Sequence, residues 1–203
     1  MISIDPAVNS ERDNYKLLIG SIIPRPIALV TTLSASGVLN AAPFSYFNIV
    51  AANPPMVSIS VQRKQGVPKD TARNAAATGS FVVHIADESY IEKLNQTAAG
   101  LAPDVSEVEF AGLTAVPSEQ VSVPGLAEAR IRMECVLEHA LPIGGAEGSP
   151  AADLLIGRVV RFHFDESVYD GGHIDPQALQ PVSRLAGSNY SRLGDIFAMA
   201  RPD

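Results

Sequence analysis

At 203 residues, with 46% hydrophobic and 18% charged side chains, the chain can bury a full core and lies outside the composition of disordered segments. Its formal charge of −7 argues against nucleic acid as a partner, because a polyanion needs a basic face. No run approaches the roughly 18 apolar residues of a membrane span, and the opening MISIDPAVNSERDNYK is polar and acidic where a secretory signal is basic and then apolar, so the expectation is a cytoplasmic protein with no membrane partner.

The first predicted strand is PIALVTTL, residues 26–33, rich in β-branched side chains and followed by a Ser-Ala-Ser-Gly turn. The return strand breaks the expected alternation with Asn40, two alanines, Pro43, Phe44, Ser45, Tyr46, Phe47 and Asn48. Small residues and a proline there let a flat ligand approach and leave backbone groups unshared, with Asn40, Ser45 and Asn48 as polar partners and Phe44, Tyr46 and Phe47 as aromatic surface. An edge strand with core aromatics accounts for the same residues. PMVSISVQ, residues 55–62, then restores the strand pattern.

RKQGVPKDTAR, residues 63–73, places Arg63, Lys64, Lys69 and Arg73 against the single acid Asp70, in a chain with only fifteen Lys and Arg. It leaves a strand and enters a predicted helix, KDTARNAAA, with Asp70 or Thr71 as the expected N-cap. Free N–H groups at a helix start beside a basic cluster suit a phosphate, although a capped helix with a solvated basic turn gives the same pattern.

A strand SFVVHIA follows, then a helix in DESYIEKLNQTAA that sets Tyr90, Leu94 and Ala98 on one face. In ARIRMECVLEHAL, Ala129, Ile131, Met133, Cys135 and Leu137 alternate with Arg130, Arg132, Glu134 and Glu138, a strand with one buried face. Residues 144–152 form a small, polar, mobile loop before the last long strand, DLLIGRVVRFHF, and SRLGDIFAMA near the end suits a short helix or a strand with a turn.

Many strands with two helices inserted in the middle read as an antiparallel barrel with additions. Neither a dinucleotide glycine fingerprint nor a Walker lysine is present, and no ligand spacing points to a metal. The single cysteine, Cys135, belongs to the core, while His84, His139 and His173 read as structural or surface residues.

PRPIALVTT, GxxNAAPFSYFN, NPPMVSISV and KDTARNAAATGSFVVHIA, continuing through PDVSEVEFAGLTAVPSEQVSVPGLAEARIRMEC to LQPVSRLAGSNYSRLGDIFAMARP, resemble the flavin reductase-like family of FMN-binding split β-barrels, in its flavoredoxin-like branch. The resemblance implies a mainly β fold, a six-stranded antiparallel Greek-key split barrel with a few short helices, and one FMN-binding domain over residues 1–203. It also implies a homodimer with FMN in a groove near the subunit interface. On this alignment Ala42, Pro43, Phe44 and Ser45 meet the flavin ring, with Asn40 and Asn48 nearby. Lys69, Asp70 and Thr71, helped by Arg63, hold the phosphate or ribityl chain, and Arg25, Arg184 and Tyr190 fall at family positions.

The activity implied is that of an oxidoreductase passing hydride from NADH or NADPH to flavin, with a partner oxygenase or redox protein as acceptor. A non-catalytic FMN electron carrier shares every one of these residues. A relative acting on a vitamin B6 phosphate also wants a basic cluster. The chain departs from many members in lacking a Gly-Asp-His run before its last long strand, where it reads GGAEGSPAADLLIGRVV.

Overall fold

The computed structural model describes residues 1–202. Seven antiparallel strands form the main sheet: β1 (Ala28–Leu33), β2 (Leu39–Phe44), β3 (Phe47–Ala52), β4 (Pro55–Gln62), β5 (Ser80–Ile85), β6 (Ile131–Ile143) and β7 (Ala152–Phe164). Their order is β2-β1-β5-β6-β7-β4-β3. β2 and β3 are separated only by Ser45 and Tyr46 yet stand at opposite ends of that order, so the sheet closes on itself. At the seam the Ser60 N–H donates to the Tyr46 carbonyl at 2.8 Å. Counted around the closed sheet, β2 and β3 are one bent strand and the split barrel has the six members expected.

That closure explains the irregular return strand. β2 pairs with β1 and has no strand on its other side. Residues two apart on a strand share an edge, and the Ala41 N–H points away from β1, donating to Glu107 Oε2 at 3.2 Å. The Pro43 nitrogen therefore faces the same open edge, where proline forfeits no ladder bond.

β1 is apolar on both faces because both are covered. Ala28 and Val30 join Phe44, Ile59, Phe81 and Leu155 inside the barrel, with Ala72 and Ala75 against them. Ile27 and Leu29 pack outward against Tyr90, Leu94 and Val108. Phe81 fills the barrel so closely that a Cβ on Gly157 would lie 2.3 Å from its Cζ.

Cys135 is wholly buried in the same core, and burial pushes its thiol up to about 12. Since the thiolate is the reactive species, the native protein is expected to be inert to a disulfide reagent at neutral pH and to titrate one thiol after denaturation. Rapid labelling of the folded protein would place Cys135 outside the core.

Among the described residues five short α-helices accompany the barrel: α1 (Glu11–Ser21), α2 (Asp70–Thr78), α3 (Ile91–Gln96), α4 (Glu107–Phe110) and α5 (Pro176–Leu179). Only α2 and α3 follow from the sequence pattern. The apolar residues of α1 do not gather on a covered face, and Ile19 alone is buried. α3 is shorter than expected: Tyr90 and Leu94 are buried, but Ala98 is exposed beyond its end. SRLGDIFAMA forms no helix, and its Ile196, Phe197 and Met199 stay exposed. Residues 144–151 close β6 onto β7 as a hairpin with an inner bridge between Ala146 and Ser149.

Glu134 also departs from its expected solvent face. It is fully buried, because the segment before β6 folds over it and supplies the N–H groups of Glu119, Gln120 and Val121 at 2.8, 2.6 and 3.1 Å. His163 completes the shell at 2.6 Å.

Candidate functional site

The basic turn is built where β4 leaves the barrel. Arg63 forms a bidentate pair with Asp153 of β7, Nε to Oδ2 at 2.9 Å and Nη2 to Oδ1 at 2.6 Å, and its Nη1 donates to the Gly66 carbonyl at 3.2 Å. Asp153 pushes the Arg63 guanidinium further up, and its charge is spent inside the protein. The chain then reverses, Lys64 and Val67 exchanging backbone bonds of 3.1 and 3.0 Å, around Gln65 and Gly66 with φ of 53° and 76°. Both central residues are left-handed, which favours glycine at the second.

α2 begins at this turn, with Lys69 rather than Asp70 or Thr71 as its N-cap. Among the described residues no side chain caps it, because Asp70 already lies inside the helix and pairs with Arg73, while Thr71 is buried. The first N–H groups of α2 thus stay open to an anion. Lys64 and Lys69 are exposed and have no ion-pair partner among the described residues.

A cleft of about 750 Å³ opens between this turn and β2. It is lined by Asn40, Ala42, Pro43 and Phe44 from β2, by Lys64, Lys69, Asp70, Thr71 and Arg73 from the turn and α2, and by Glu107. A second cleft of about 260 Å³, lined by Tyr15, Ser45, Asn95, Arg184 and Tyr190, shares Pro43, Phe44 and Ala98 with the first. Arg184 lies 4.4 Å over the Tyr190 ring, and the Tyr190 hydroxyl donates to Asn95 Oδ1 at 3.0 Å. The two residues are brought here by a small sheet in which Arg25–Pro26 pairs with Ser183–Arg184, and that in turn with Tyr190–Ser191.

Behind the first cleft runs a buried polar network. Asn40 Oδ1 accepts from the hydroxyls of Thr71 and Thr32 at 3.1 and 3.2 Å, which orients its amide so that Nδ2 donates to Glu107 Oε2 at 2.9 Å. Asn74 of α2 donates to Thr32 at 3.3 Å. The Thr71 hydroxyl therefore holds α2 to β2 and is turned away from any phosphate at the helix mouth.

Of the thirteen positions singled out from sequence, Asn40, Ala42, Pro43, Phe44, Ser45, Lys69, Asp70, Thr71, Arg184 and Tyr190 line one or other cleft. Arg25, Arg63 and Asn48 do not. Arg25 is buried and donates to the carbonyls of Ile19, Ile22 and Leu185, tying α1 to the C-terminal segment. Asn48 is exposed on β3, its side chain accepting from the next backbone N–H at 2.8 Å. Lys64 and Glu107 are lining residues outside that set. Ser106 caps α4, its hydroxyl accepting from the Glu109 N–H at 3.4 Å, but nothing local says that Glu107 turns towards β2.

None of the histidines lines either cleft. His84 is wholly buried, its Nδ1 paired with the Leu29 carbonyl at 2.9 Å and its Nε2 accepting from Leu126 N–H at 3.0 Å. Burial, with Arg132 nearby, lowers its pKa to about 4 despite the Leu29 bond. His139 and His173 are exposed.

The model of the flavin reductase like domain matches residues 19–178. Among solved structures, nitrilotriacetate monooxygenase component B from Bacillus cereus is 62% identical, with a TM-score of 0.97 and 98% of each chain covered. The 2-nitrobenzoate 2-nitroreductase of Pseudomonas fluorescens is 32% identical, with a TM-score of 0.89 over 99% of this chain and 96% of the other. An uncharacterised protein of Halalkalibacterium halodurans is 54% identical over 99% of this chain and 97% of its own.

Proposed function

Because the chain belongs to the flavin reductase-like domain family, we propose that it is a single FMN-binding domain over residues 1–203, working in the cytoplasm as an NAD(P)H-dependent flavin reductase. One observation carries the reading: the open N-terminus of α2, with Lys64 and Lys69, shares a cleft with the unpaired edge of β2, and a second cleft adjoins across Pro43 and Phe44. A phosphate suits the first end, and a planar heterocycle with polar edges suits a strand edge that still offers main-chain groups.

The donor set fits FMN. Lys64, Lys69 and the first turn of α2 would hold the phosphate, and Ala42, Pro43, Phe44 and Ser45 would carry the ring. Arg184 and Tyr190 would bound the open side where a nicotinamide enters. FMN would supply the hydride-accepting chemistry. The protein's part is to fix the ring along β2, keep one face accessible and exclude water with Phe44 and Pro43.

Titrating apoprotein with FMN and FAD, and following NADH and NADPH oxidation with FMN present, tests the reading. Tighter binding of FMN than FAD, with flavin-dependent nicotinamide oxidation, is expected, since one basic turn serves one terminal phosphate. Equal or tighter FAD binding overturns the assignment of FMN. The absence of a histidine from both clefts among the described residues favours a second reading, an electron carrier, and FMN binding without nicotinamide oxidation would select it.

The likeness to a monooxygenase component supports a partner oxygenase as the acceptor of reduced flavin. Exposed Ile49 and Val50, neighbours on β3, support a homodimer, in which a second copy covers these apolar side chains.

A further inference from the structure

We propose that Glu107 is a specificity-determining residue of the cleft, its free carboxylate oxygen accepting a hydroxyl of the ligand's polyol chain. The inference rests on the FMN reading above and assigns a role to a side chain that no part of that reading uses.

Glu107 is only 6% exposed, yet it lines the first cleft. Its Oε2 is fully engaged, accepting from Asn40 Nδ2 at 2.9 Å and from Ala41 N–H at 3.2 Å. Both are donors, so Oε2 acts as an acceptor, and Asn40 cannot flip because its Oδ1 already takes the Thr32 and Thr71 hydroxyls. Oε1 accepts from no group among the described residues and keeps some solvent exposure, on a residue that lines the cleft.

A buried carboxylate oriented by two N–H donors, with its second oxygen open to a binding cleft, is a preorganised acceptor. The ligand group it serves must donate. Glu107 is linked through Asn40, by two hydrogen bonds, to Thr71 in the first turn of α2, so the ligand atoms that face it are those next to the phosphate. In FMN that is the ribityl chain, whose hydroxyls are donors, whereas a phosphate oxygen would be repelled.

The experiment compares FMN, riboflavin and lumiflavin, which lacks the ribityl chain, on wild type and on Glu107→Gln, with dissociation constants read from flavin fluorescence. The glutamine carbonyl can keep the Asn40 and Ala41 bonds while presenting an NH₂ to the cleft. FMN and riboflavin are expected to weaken together by about tenfold, with lumiflavin unchanged, as for the loss of a hydrogen bond to a charged acceptor.

Three results overturn the inference: FMN alone binding more tightly, which marks simple charge repulsion; all three flavins weakening alike, which marks a structural role; or no change. Should Glu107→Gln fail to fold, Glu107→Asp decides. It keeps the charge but is one methylene too short to serve strand and ligand at once, so riboflavin is expected to weaken against lumiflavin, and an unchanged ratio overturns the inference. Failure of the FMN reading is separately visible, because wild type would then bind none of the three or bind FAD at least as tightly as FMN.

Discussion

Replacing Lys64 and Lys69 together by alanine weakens FMN binding by about a hundredfold while leaving riboflavin binding nearly unchanged. A charge-assisted hydrogen bond contributes about 1.5 to 3 kcal/mol, and solvent screening of two exposed lysines brings the pair towards the lower end, about 3 kcal/mol in all. Among the described residues neither side chain has an ion-pair partner, so the fold is expected to survive the double change. The loss also shrinks as ionic strength rises, since the lysines are in solvent. Thr71→Ala is a poor probe of the phosphate, because its hydroxyl is bonded to Asn40 and the change would disturb α2 itself. Equal weakening of FMN and riboflavin in the lysine variant would make the turn structural.

The second large effect is on acid stability. Unfolded, His84 has an ordinary histidine pKa near 6.5; folded, burial lowers it to about 4. Between these values the unfolded chain binds a proton that the folded chain does not. The contribution is therefore fully present above about pH 6.5 and is progressively lost as pH falls towards 4, amounting to about 3 kcal/mol.

Glu134 acts in the same direction at lower pH. Burial raises its pKa, but the N–H groups of Glu119, Gln120 and Val121, with His163, outweigh it and hold the carboxylate below its ordinary value. Its contribution is present above its unfolded pKa and disappears as pH falls through the folded one. Urea unfolding at a series of pH values is expected to show falling stability from pH 6.5 to 4, and His84→Gln to flatten that slope. A wild-type profile flat over this range would mean that His84 is charged in the native protein.

Most strands were legible in the sequence because their pattern is local. PMVSISVQ and IRMEC alternate as half-covered strands do, and the unbroken apolar run of β1 suits a strand buried on both faces. The basic turn into α2 was equally visible, since clustered charge and a helix start lie within eleven residues. These readings depend only on neighbours along the chain.

What the tertiary structure decided was which partner each polar group meets. Arg25 and Arg63 look like free cations in the sequence, but one of Arg25's three carbonyl partners, Leu185, lies 160 residues away, and Arg63's carboxylate partner, Asp153, lies 90 away. Asn40 and Glu107, 67 residues apart, form one network that no local pattern announces. Glu134 sits at an alternating polar position and is buried, because a preceding segment folds over it with three N–H donors. The bent β2–β3 strand belongs with these: nothing within residues 39–52 says that its partner changes from β1 to β4 at Ser45 and Tyr46. Periodicity reports whether a side chain can be covered. Hydrogen bonding is directional and saturable, so the identity of a distant partner is settled only when the barrel closes and brings the two groups within reach.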